Sequence, residues 1–135
     1  LFSSVLLRFN NAKDANNFDG KGIQSNGTAI AYAATLEMPQ PGRKALRHYF
    51  DFAQLTGALT LNATNIVTRG DYDEGDEIFL LFKADGTART ITWGTLIRAG
   101  VAATFVIPIS GTGVAYCIFL DGKIHVIAQS MLVTV

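Results

Sequence analysis

The chain has 135 residues, 49% of them hydrophobic and only 16% charged, and a formal net charge of zero. One domain of this length buries roughly 68% of its unfolded surface, enough for a core without staples. The zero balance argues against a nucleic-acid binder, which needs a basic field to displace counterions. So little charge also leaves apolar surface to be covered by further copies or by another protein.

The opening stretch Leu1–Phe9 is apolar but too short to span a membrane, and it lacks the basic start and cleavage signal of a secretory leader. No longer apolar run approaches a membrane span, so no membrane partner is expected. Asn10 to Gly27 is dominated by Asn, Asp and Gly with no apolar period, which predicts a long loop or an extended arm that orders on a partner. Residues 1–27 are accordingly expected to be an N-terminal strand and arm, and 28–135 the folded domain. Thr28 to Met38 suits a strand or a short helix equally, and Pro39-Gln40-Pro41-Gly42 ends it.

From there the signal is β. In Leu46–Phe52, His48, Phe50 and Phe52 share one face; in Ala58–Thr64, Leu59, Leu61 and Ala63 do. Glu77–Lys83 (EIFLLFK) is apolar on both faces, as in a central strand covered twice. A turn at Asp85-Gly86 leads to a strand at Arg89–Trp93, and the pair is expected to form a hairpin. Ala102–Ile109 follows, with Phe105, Ile107 and Ile109 aligned and Pro108 marking an edge or bulge. Val114–Leu120 and Lys123–Ile127 complete the set, joined by Asp121-Gly122. Short strands between Gly-rich turns predict an all-β fold: an antiparallel β-sandwich, jelly-roll-like, behind an N-terminal arm.

Chemistry-bearing residues are few. Cys117, the one cysteine, lies in an apolar run and reads as a small buried hydrophobe. It has only His48 and His125 for company, so a Cys₄ or Cys₂His₂ zinc site is excluded. Both histidines read as surface or interface residues. The cluster Asp71-Tyr72-Asp73-Glu74-Gly75-Asp76-Glu77 supplies the hard oxygens that calcium prefers. Its glycine arrives one place early for an EF-hand, however, and the bidentate position is Phe82. The cluster reads instead as a solvated loop. Glycoside hydrolysis by these acids would need one raised pKa, and nothing nearby suggests the apolar pocket for it. No nucleophile elbow or phosphate loop is present, and no motif asks for a cofactor or a metal. Trp93, Tyr72, Phe79 and Phe82 remain as candidate interface or ligand-stacking residues. Trp93 shares its strand face with Ile91, which points it toward the core or an interface.

Three pieces of the C-terminal half form a recognisable order: ALTLNATNIV, then YDEGDEIFLLFKADGTARTITWG, then ATFVIPISGTGVAYCIFLDGKIHVIAQS. Over roughly residues 58–129 they resemble a β domain of bacteriophage virion proteins, found in tail fibres, tailspikes and head-surface proteins. Asp85-Gly86-Thr87 and Arg89–Gly94 carry the resemblance most specifically. The loop Thr95–Gly100 and the step Ile107–Gly111 depart from the pattern. The resemblance implies a β-sandwich, commonly trimeric, with no catalytic residues to carry over. It implies a structural protein at the virion surface, a head decoration or head-fibre protein that binds the major capsid protein and its own copies. A tail-fibre or receptor- and carbohydrate-binding module is the alternative.

Overall fold

The computed structural model describes residues 23–25, 29–42, 44–100 and 102–132. Most of the expected arm (1–27) lies outside these residues. The part inside them, Ile23–Ser25, is strand β1, paired in parallel with its neighbour rather than forming a loop. The remaining strands are β2 (Thr35–Glu37), β3 (Arg47–Asp51), β4 (Leu59–Asn62), β5 (Glu77–Lys83) and β6 (Arg89–Trp93). They continue as β7 (Ile97–Ala99), β8 (Thr104–Ile107), β9 (Thr112–Leu120) and β10 (Lys123–Leu132). One helical turn, α1 (Ile66–Arg69), follows β4 and ends on Gly70 at φ 67°, a conformation that suits glycine.

The fold is all-β, in two sheets. One runs β1-β3-β5-β9-β10-β7 and the other β2-β4-β6-β8. The expected antiparallel, jelly-roll-like pairing is not what the registers show, because both sheets are mixed. The pairs β1–β3, β3–β5, β2–β4, β4–β6 and β10–β7 are parallel, while β5–β9, β9–β10 and β6–β8 are antiparallel. The reason is the path of the chain. From β1 to β9 every connection crosses from one sheet to the other. Over β1–β6 the chain crosses, then crosses back to lie beside its earlier strand running the same way, whereas β8 returns beside β6 running the opposite way. Ile23, Arg47 and Glu77 thus stack across β1, β3 and β5. Thr35, Thr60 and Thr92 do the same across β2, β4 and β6.

The Asp85-Gly86 turn shows the difference locally. It does not close a hairpin, because β5 and β6 belong to different sheets. The Asp85 carboxylate accepts the Thr87 N–H (3.2 Å) and receives Arg89 Nε and Nη2 at 2.8 Å each. These bonds make a firm corner that sends the chain over the core. Asp121-Gly122 is a true hairpin turn between β9 and β10. Both residues have positive φ, 54° and 73°, as the two-residue turn matched to strand twist requires.

The inner faces of the two sheets share one core. Phe50, Ile78, Leu80, Phe82, Ala115, Cys117 and Ile124 come from the larger sheet, and Leu59, Leu61, Ile91, Trp93, Phe105 and Ile107 from the smaller. The predicted inward faces of β3, β4 and β6 are buried as the alternation requires, whereas β5, expected to be covered on both faces, buries one face and leaves the other half-buried. Ile109, expected to align with Phe105 and Ile107, lies past the end of β8 and is 65% exposed.

Candidate functional site

The acidic loop between α1 and β5 is knitted into the protein by its own carboxylates. Asp71 receives Arg69 Nε at 2.9 Å, and Asp73 receives Lys44 Nζ at 3.2 Å. Glu74 accepts the Asp121 N–H at 2.9 Å on either oxygen. Asp76 accepts the Asp73 N–H at 2.9 Å and lies 3.4 Å from His48 Nε2. Glu77 receives Arg47 Nε at 2.7 Å and the Tyr116 hydroxyl at 2.6 Å. Each acid faces a different protein donor, so the group does not converge on one point. Among the described residues no set of three or more His, Cys, Asp or Glu is placed to hold a metal ion.

His48 departs from its expected place at the surface. It is fully buried, with Tyr72 edge-on at 4.9 Å between ring centroids and Asp76 beside it, itself 1% exposed. Its position follows from strand alternation, which puts it on the same face as Phe50. His125 sits outward on β10, its Nε2 3.1 Å from the Leu120 carbonyl. With β5 and β9 between β3 and β10, the two imidazoles share no site. Cys117 is buried, and burial pushes its thiol well above the ordinary range, which leaves it a poor nucleophile.

Of the four candidate contact residues, three lie in the core. Trp93 is 7% exposed, Tyr72 5% and Phe82 0%. Tyr72 donates to the Pro39 carbonyl at 3.1 Å, and burial raises its pKa far beyond the usual phenol value. Phe79 alone faces outward, on the opposite side of β5 from Phe82. There it stacks on Tyr49 (4.7 Å, 7°) and meets Tyr116 at a tilt (5.0 Å, 40°), a half-buried aromatic row across β3, β5 and β9.

Charge pairs flank that row. On one side lies the Arg47–Glu77–Tyr116 network, and on the other Lys83–Asp51 at 3.2 Å. Burial acts to raise the pKa of Glu77. The hydrogen bonds from Tyr116 and Arg47 outweigh it and hold the carboxyl below its usual range. A carboxylate lowered in this way contributes stability above its unfolded pKa, about 4.3, and loses it as pH falls through the folded value. Glu77→Gln is therefore expected to flatten the fall in unfolding free energy between about pH 5 and pH 3, measured by urea denaturation. Tyr116 is raised to about 12, first by burial and then by its bond to Glu77. Its contribution is present below pH 10 and lost as pH rises toward 12.

A second feature escaped the reading of the sequence. Thr35, Thr60, Thr92 and Thr104 stand in register, one on each strand of the smaller sheet. Each precedes a larger apolar residue: Leu36, Leu61, Trp93 and Phe105. That repeated pair is the signal that could have revealed the ladder. Three of the four threonines are exposed, and cross-strand threonine pairs stabilise a sheet by fractions of a kcal/mol each, ~0.2–1. The two outer faces therefore differ, one aromatic with charged flanks and one lined by hydroxyls. No protein-family model matches the chain, and no curated protein or solved structure matches it either.

Proposed function

We propose that the protein is a non-enzymatic structural component of a virus particle: a phage capsid decoration or head-fibre protein that binds the major capsid protein and its own copies. The observation that carries this reading is where the molecule puts its side chains. The acids of the loop 71–77 are tied to the protein's own donors, while apolar and aromatic groups are left outward on a two-layer sandwich. Val67, Val106, Ile109, Ile127 and Leu132 are each more than two-fifths exposed. With so little charge on the chain, such groups are best accounted for as contact surface. The phage-type pattern over residues 58–129 supplies the setting. Mass spectrometry of purified particles tests it. The chain is expected at a fixed copy number relative to the major capsid protein, and its absence from washed particles would refute the reading.

The threonine ladder favours one alternative, a receptor- or carbohydrate-binding module that uses a hydroxyl-lined face. Burial of Trp93 and Tyr72 removes the aromatic platforms that such a module was expected to expose. On this alternative a glycan array gives saturable binding that Thr92→Lys abolishes.

A further inference from the structure

Strand β10 outruns its neighbour. β7 pairs with it only from Ile124 to Val126, whereas β9 pairs with it as far as Leu132. Among the described residues, 127–132 therefore form an uncovered edge of the six-stranded sheet. Ile127 is 49% exposed and Leu132 41%, and Ala128 and Ser130 are also exposed. Soluble proteins blunt such edges with lysine, proline or inward charges. The stretch Ile124–Leu132 contains no Lys, Arg, Asp, Glu or Pro. A bulge lies between Val126 and Ala128, at the start of the segment, and pairing with β9 is regular beyond it.

We propose that a second copy of this chain covers the edge, β10 of one copy pairing antiparallel with β10 of the other about a twofold axis through Ser130. Several observations single out a second copy as the occupant. In a twofold strand pair, residues of the segment face residues of the same segment, so a charge anywhere in it would meet its like. The segment carries none. The faces also match. Ala128, Ser130 and Leu132 lie opposite Tyr116, Val114 and Thr112, on the outer side of the sheet. Directly opposed residues of an antiparallel pair share a face. An axis through Ser130 sets Ser130 against its copy and small Ala128 against larger Leu132, with Gln129 against Met131 on the inner side. Gln129 is already fixed, accepting from Trp93 Nε1 at 2.8 Å, and Met131 packs on the core. The strand is thus held ready to pair before its partner arrives. Main-chain donors and acceptors supply the bonding, and the two sheets continue as one. This contact does not depend on where the protein acts.

Cross-linking of the isolated full chain tests it. Opposed Cα atoms in an antiparallel pair are ~4.5–5.5 Å apart, within the ~4.4–6.8 Å of a disulfide. Because Cys117 is buried, an added surface cysteine reports alone. Ser130→Cys is expected to give a disulfide-linked dimer on mild oxidation at micromolar concentration. Val67→Cys, on α1 with Val67 54% exposed, is expected to stay a single chain. Ala128→Lys with Leu132→Lys places like charges in opposition. It is expected to raise the dimer dissociation constant at least tenfold while the melting temperature of the diluted monomer is kept. Equal cross-linking at both cysteine positions, an unchanged assembly in the lysine variant, or a wild-type monomer or trimer would overturn the proposal.

Discussion

Trp93→Ala is expected to lower the unfolding free energy by about 3–5 kcal/mol, read by urea denaturation with circular dichroism because the variant has no indole to follow. The side chain belongs to the smaller sheet but is shared by both. Its ring stacks on Phe105 (6.4 Å, 19°) and meets Phe82 of the larger sheet edge-on at 6.2 Å. Its Nε1 donates to Gln129 on β10 of the larger sheet. Truncation removes a large buried body, opens a cavity between the layers and frees Gln129, which also donates to the Thr104 carbonyl at 3.4 Å. Trp93→Phe keeps most of the ring and loses the bond. It is expected to cost less than half as much as the alanine variant, of which the lost hydrogen bond is about 1 kcal/mol. A residue exposed for stacking on sugars would behave in the opposite way, leaving stability unchanged and removing binding.

Asp76→Ala is expected to be comparably severe, about 3–5 kcal/mol, because it breaks a pair with His48 in which both side chains are buried. The carboxylate also holds the Asp73 N–H. The backbone on either side is bound to β9: Gly75 N–H to the Phe119 carbonyl at 2.8 Å, and Phe119 N–H to the Asp76 carbonyl at 3.0 Å. Losing the side chain therefore loosens a loop that β9 depends on. A double-mutant cycle of His48→Ala with Asp76→Ala should give a coupling of at least ~0.5 kcal/mol, as for side chains in one network. Asp73→Asn is the contrast. Asp73 and Lys44 are each half exposed, and such a pair is worth ~0–1 kcal/mol. Two acids three residues apart thus differ severalfold in consequence, because one lies in the core and the other in solvent.

Some of this was legible in the sequence. Strand β5 begins and ends where its apolar run places it, β6 where the alternation does, and the Asp121-Gly122 hairpin is where its turn residues put it. These are local properties, set by side-chain period and backbone sterics. The pairing partners were not legible. A turn signal says that the chain reverses, but it does not say which sheet receives the next strand. The corner at Asp85–Arg89 and the connections before it carry the chain across the core. A sequence of expected hairpins became a winding with parallel neighbours. Strand β7 was missed because it has three residues and follows Leu96, which sits at φ 62°. Its pairing with β10 is a distant contact that its own composition does not announce. The helical turn Ile66–Arg69 is too short to show a period.

The contact residues divided in the same way. Periodicity placed Trp93 with Ile91, and both are buried. Tyr72 and Phe82 are buried as well, which leaves Phe79 as the outward member of the four. The threonine ladder and the uncovered edge of β10 are properties of register between strands far apart in the chain. They become visible only when the strand order is known.

On the function proposed, the apolar surface of this weakly charged protein exists to be covered by neighbours. Light scattering coupled to size separation, at micromolar concentration and moderate salt, tests it most directly. A stable assembly of two or more chains is expected, and a monodisperse single chain under the same conditions would contradict it.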